Sequence, residues 1–108
     1  MNITMQDILA DGESATAIKV KVKRPKRYAV IFYNDDFTPM DFVVFVLGKY
    51  FNKTHEEAVA IMLTVHNEGK AMIDLYTREI ADEKVHETME HAKANGYPLS
   101  AVAEEYTE

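Results

Sequence analysis

The chain has no cysteine and no tryptophan, only three prolines and four glycines, and no apolar run longer than six residues, of which Phe42 to Leu47 is one. Without cysteine there is neither a disulfide framework nor thiolate-held zinc, so stability has to come from packing. Six apolar residues fall far short of the ~20 that span a bilayer, and of a secretory leader. The expectation is a soluble, cytoplasmic protein with no membrane partner. At 108 residues a folded chain buries roughly 60 to 70% of the surface its unfolded form exposes, enough for one core and not for two. No internal repeat is visible. Eighteen acids against twelve bases, for a net charge of -6, argue against nucleic acid as the partner.

The charge is unevenly spread. Residues 1–18 carry -3 and residues 28–108 carry -9, whereas residues 19–27 (KVKVKRPKR) carry six bases and no acid. The segment DGESATA ahead of that stretch is small, polar and without apolar period, and Pro25 follows it. Residues 1–26 therefore read as a flexible extension with a basic linker, and residues 27–108 as the core domain. The basic stretch suits a solvated linker. The competing function for it is a nucleic-acid or phosphate-binding module, although it lacks interleaved aromatics to stack on bases.

The core begins with YAVIFY (28–33), a strand ended by Asn34-Asp35-Asp36, three residues that favour turns. Thr38-Pro39-Met40-Asp41 reads as a helix start with Thr38 as N-cap, and the helix is expected to reach Phe51. Its buried stripe is Val43, Val46, Leu47, Tyr50 and Phe51. Asp41, Phe45, Lys49 and Asn52 form the outer stripe, where Phe45 is out of place among polar neighbours. Thr54 and Glu57 form a capping box for a second helix that stops at Gly69. KAMIDLY (70–76) reads as a strand, and Thr77 caps a third helix that buries Ala81, Val85, Met89 and Ala92 and stops at Asn95-Gly96. Leu99 to Ala103 reads as a third strand. The order β-α-α-β-α-β with short connections predicts an α+β, two-layer fold: a small antiparallel sheet packed against three helices.

The most informative polar residues lie in Asn34 to Met40 and in Met62-Leu63-Thr64-Val65-His66. A tight joint between the first two helices returns the end of the second toward the start of the first, so these segments read as two walls of one site. Several readings stay open. Asn34-Asp35-Asp36 suits an ordinary turn with side chains on local backbone groups, and His66 suits a helix C-terminus favoured by the dipole. A metal site is short of ligands, with only Asp35, Asp36 and His66 at hand, and a hydrolase has only Thr38 and Thr64 as hydroxyls near His66. The remaining reading is a pocket for a cation bearing an apolar side chain. A protonated α-amino group offers three N–H donors and one charge, and Asn34, Asp35 and neutral His66 supply acceptors and a carboxylate. Met40, Val43, Met62, Val65 and Leu99 suit the apolar slot beside them, the methionines allowing several bulky side chains.

YAVIFYNDDFTPMDFVVFVL (28–47), AVAIMLTVHNEGKAM (58–72), TREIADEKV (77–85) and YPL (97–99) together resemble the ClpS family, bacterial adaptors that deliver N-degron substrates to the ClpA-ClpP protease. The likeness runs from about Lys26 to Leu99, and its specific signature is NDDxTPM followed by MxxVHxxGK. The resemblance implies a non-catalytic adaptor without cofactor or metal, recognising proteins that begin with Leu, Phe, Tyr or Trp. It implies that Asn34, Asp35 and His66 hold the free α-amino end and that Met40 gates the side-chain pocket. That pocket would comprise Thr38, Met40, Val43, Met62, Val65 and Leu99. It also implies contact with the N-terminal domain of the unfoldase through Glu79 and Lys84, and a role for residues 1–25 in substrate hand-off. The C-terminal domain of the ribosomal stalk protein shares the element order but lacks the NDD and VH walls.

Overall fold

The computed structural model describes residues 25–107. Most of the expected extension, residues 1–26, lies outside the described residues. Six elements follow in the order β1 (Arg27–Tyr33), α1 (Met40–Phe51), α2 (His55–Glu68), β2 (Lys70–Tyr76), α3 (Arg78–Ala94) and β3 (Ser100–Tyr106). β1 is the central strand, antiparallel to both neighbours in a sheet of order β2-β1-β3. The α+β, two-layer expectation therefore stands.

Alternation along the strands separates the two faces of the sheet. Phe32 pairs with Ala71 on one side and Ala101 on the other, and all three are buried. Val30 and Ile73 join them beneath the helices, where the rings of Phe32 and Phe51 meet edge to face at 5.4 Å. Ile31, Met72 and Val102 are register partners on the opposite face, which is more open. A break in the β1–β2 register between Val30 and Ile31 marks a bulge beside Ile73. Among the described residues no helix is long and apolar enough to cross a membrane.

Capping accounts for the element ends. Thr54 accepts the Glu57 amide while the Glu57 carboxylate accepts the Thr54 amide, the reciprocal pair expected from the sequence. The Thr77 hydroxyl accepts the Ile80 amide. α1 hands over to α2 through Asn52, whose φ of 56° lies in the left-handed region that asparagine tolerates better than most residues. Gly69, at φ 90°, ends α2 and leads straight into β2.

Four local expectations are corrected. Thr38 is not the N-cap of α1: Pro39 holds that place with no side-chain cap, and the Thr38 hydroxyl donates to Asp35 instead. Tyr50 is only partly buried, with its hydroxyl 2.9 Å from His91 Nδ1, while Phe42, outside the expected stripe, is buried against Tyr97 and His91. The cause is that α1 packs on both α2 and α3, so its covered sector is wider than one stripe. In α3 the polar Thr88 is fully buried, whereas Met89 is 38% exposed and lays its sulfur on the Ala101 amide at 3.4 Å. β3 extends to Tyr106 because Glu104, Glu105 and Tyr106 continue the ladder with Ala29, Tyr28 and Arg27. Phe45 is 49% exposed, its ring against His91 at 5.4 Å.

Candidate binding site

The topology forces two segments together. β2 starts directly after α2 and runs antiparallel to β1, so the last residue of β1 must lie beside the first residue of β2. Tyr33 pairs with Lys70, and the next amide along, that of Asn34, donates to the Gly69 carbonyl at 2.9 Å. The loop leaving β1 is thereby tied to the end of α2, three residues from His66. α1, which follows the loop, packs along α2 and completes the enclosure.

A cavity of about 220 Å³ sits at this junction, lined by Asn34, Asp35, Asp36, Thr38, Met40, Val43, Met62, Val65 and His66. All three residues expected to hold an amino group are among them, with Thr38, Met40, Val43, Met62 and Val65 of the expected slot. Leu99 is not in this lining; it is 5% exposed, in the same core cluster as Val43 and Val65. Asp36, which the sequence reading set aside as turn chemistry, lines the cavity as a second carboxylate. The doubled acid in the motif was the available signal for it.

Asp35 organises the loop. Its Oδ1 accepts the Phe37 amide at 2.8 Å and the Thr38 amide at 2.7 Å, and its Oδ2 accepts the Thr38 hydroxyl at 2.8 Å. Partial burial pushes the carboxyl up, but the hydrogen bonds from the Thr38 amide, the Thr38 hydroxyl and the Phe37 amide together outweigh it and hold the group below its ordinary value. Asp35 is thus an anion at neutral pH with roughly four lone-pair positions, three of them filled, so one acceptor position on Oδ2 remains. Among the described residues neither the Asn34 amide nor the His66 imidazole has a side-chain hydrogen bond. Two unpaired polar groups and one charged acceptor therefore face a small space whose remaining walls are Met40, Val43, Met62 and Val65.

The competing readings fare differently. The turn reading of Asp35 holds, but it occupies three of the lone pairs and leaves the charge. Both candidate hydroxyls are engaged elsewhere, Thr38 with Asp35 and Thr64 with the Ala60 carbonyl at 3.1 Å, so neither is paired with His66. Among the described residues no three His, Asp or Glu side chains converge as metal ligands. A larger recess of about 430 Å³ lies between α2 and the open sheet face, lined by Ile31, Ile61 and Met72 with Glu68 and Lys70. It lacks a convergent set of acceptors.

Glu79 and Lys84 lie on α3, away from the cavity. Glu79 is exposed in the first turn. Lys84 is partly buried: its ammonium donates to the Tyr50 carbonyl at 2.6 Å and lies 5.9 and 5.8 Å from the Phe51 and Tyr76 ring centres. The last residues of the basic stretch are also engaged. Lys26 lies 3.5 Å from Glu105, and the Arg27 guanidinium is 5.5 Å from the centre of the Tyr106 ring.

The family model for the ATP-dependent Clp protease adaptor protein ClpS matches residues 23–102. This chain belongs to the ClpS family. The ClpS adapter of Paraburkholderia xenovorans is 45% identical over 101 residues, covering 91% of this chain and 97% of the relative. That of Deinococcus radiodurans is 43% identical over 99 residues, covering 92% and 88%. Among solved structures, Agrobacterium tumefaciens ClpS2 bound to L-phenylalaninamide matches with a TM-score of 0.75 at 36% identity, covering 77% of this chain and all of that one. ClpS proteins are adaptors of the ATP-dependent Clp protease, so the family assigns this chain to regulated proteolysis.

Proposed function

We propose that the chain captures proteins by a free α-amino end followed by a Leu, Phe, Tyr or Trp side chain, and passes them to the unfoldase ClpA for degradation by ClpP. The observation that carries this reading is the joining of Asn34, Asp35 and His66 with Met40, Val43, Met62 and Val65 around one cavity of about 220 Å³. Size supports it. A cavity of roughly 150 Å³ suffices for benzene, so an aromatic side chain and its ammonium group fit, with the rest of the ligand's chain outside the cavity. Three acceptors and a negative charge match the three donors and the positive charge of the ammonium. Phenylalaninamide, the ligand of the Agrobacterium relative, has a free α-amino group, a benzyl side chain and an amide in place of the carboxylate, which makes it an imitation of a first residue. Glu79 and Lys84 on α3 are the proposed contacts to the N-terminal domain of the unfoldase, with residues 1–25 as a separate arm used in hand-off.

Binding of peptides that differ only at the amino end tests the pocket. A peptide beginning with Phe binds, and its N-acetylated form binds at least about tenfold more weakly, because acetylation removes the charge and leaves acceptors that the peptide covers without donors, at about 1 to 3 kcal/mol each. Fluorescence anisotropy reads the difference. Equal affinities would exclude the pocket.

A further inference from the structure

We propose that Met40 is an oxidation site that regulates the pocket: peroxide converts its thioether to the sulfoxide, and the sulfoxide excludes apolar first residues. The inference rests on the pocket reading above and adds control to that same site. Met40 is 45% exposed and stands at the first turn of α1, where it also lines the cavity. Its side chain is therefore open both to a small oxidant and to an occupant. Met62, on the facing helix, is partly buried. Met72 and Met89 are 50% and 38% exposed, but neither lines the cavity. Several methionines are thus open to oxidation, and Met40 is the exposed one among the described residues whose oxidation changes the chemistry of the pocket wall.

The reaction is balanced by the oxidant alone. A sulfur lone pair attacks one oxygen of hydrogen peroxide, the S–O bond forms as the O–O bond breaks, and the departing hydroxide takes the proton of the transferred oxygen to become water. Sulfur loses two electrons and the two peroxide oxygens gain one each. The product carries a strong acceptor where an apolar surface stood. Of the cavity lining, Val43, Met62 and Val65 have no side-chain donor, the Thr38 amide and hydroxyl already donate to Asp35, and Asn34 and His66 are engaged by the ligand's ammonium group in the pocket reading. An incoming apolar side chain would bury that oxygen without a partner. Sulfoxide reductases reverse the change, which makes it a switch.

The test uses the full chain and a labelled peptide beginning with Phe. Affinity is measured before peroxide, after peroxide, and after methionine sulfoxide reductase, with peptide mass spectrometry locating each sulfoxide and circular dichroism following the fold. A Met72→Leu/Met89→Leu double variant removes the sulfurs that are exposed outside the cavity among the described residues. Expected in wild type and in this variant are a sulfoxide at Met40, an unchanged fold, about tenfold weaker binding, and recovery on reduction. In Met40→Leu the ratio of affinities after and before peroxide stays within about twofold, whatever its starting value. Undiminished binding by protein carrying the Met40 sulfoxide would overturn the inference. So would an equal loss in Met40→Leu, unfolding on oxidation, or a Met40 that stays a thioether while Met72 is oxidised. A reduced protein that fails to bind the peptide would overturn the pocket reading itself, and this inference with it.

Discussion

Asp35 has most of its acceptor capacity filled before any ligand arrives, which ties the shape of the loop to the charge of the site. Its ionised form is favoured by three hydrogen bonds from Phe37 and Thr38, so its folded pKa lies below its unfolded one. The stabilisation it contributes is complete above the ordinary aspartate value of 3.8 and is lost as pH falls through the lower, folded value. The amide resonances of Phe37 and Thr38 should therefore titrate together with a midpoint below that value, and Asp35→Asn should abolish the titration. A midpoint at or above it would contradict the geometry. In the proposed pocket His66 offers an imidazole lone pair to the ammonium group of the ligand. Affinity for a Phe-first peptide should therefore fall by about tenfold or more in His66→Ala, the loss expected for one hydrogen bond to a charged group. Unchanged affinity in the variant would remove His66 from the acceptor set.

At the scale of elements, α1 is held at both ends by groups outside it. Its first turn follows a loop ordered by Asp35, and in its last turn the Tyr50 carbonyl accepts from the Lys84 ammonium, a cation placed where the helix dipole favours one. Lys84 thus has a structural duty in addition to the proposed contact with the unfoldase. Lys84→Ala should cost about 1.5 to 3 kcal/mol in urea unfolding, the range for a hydrogen bond to a charged group. Glu79→Ala, at an exposed position, should stay within about 0.5 kcal/mol. Both should weaken binding to the N-terminal domain of the unfoldase, but only Glu79→Ala does so with stability intact. If Lys84→Ala unfolds at the wild-type urea concentration, the bond to Tyr50 contributes nothing. The helix boundaries were legible in the sequence because caps are local: Thr54 with Glu57, Thr77 and Gly69 act within a turn. Thr38 misled because its hydroxyl had two local partners to choose from, and Asp35 is the charged one.

For the whole molecule, the central place of β1 puts the loop after it beside the end of α2, and every residue lining the cavity lies between Asn34 and His66. Removing residues 1–18 takes away none of them. That truncation should leave the affinity for a Phe-first peptide within about twofold of wild type while slowing degradation of a Phe-first substrate by the protease. Loss of peptide binding would show that the arm belongs to the pocket, and unimpaired degradation would show that it has no part in hand-off.

Composition, caps and apolar period determined the extents of the six elements to within a few residues, the α+β class and the two segments that carry the polar groups, because each of these depends on neighbours within about one turn or one strand repeat. The tertiary structure decided what those segments share. Leu99 stands beside a recognisable motif, and the packing of the chain before β3 buries it in the same core as Val43 and Val65 of the cavity lining. Phe42 is covered because α1 has two helical neighbours, and Thr88 is buried because α3 lies against all three strands. Burial is a property of contacts between distant elements, and no local pattern encodes how many neighbours a helix will have. The meeting of Asn34, Asp35 and His66 has the same origin. It follows from the antiparallel pairing of β1 with β2, which sets Asn34 against Gly69 across 35 positions of chain.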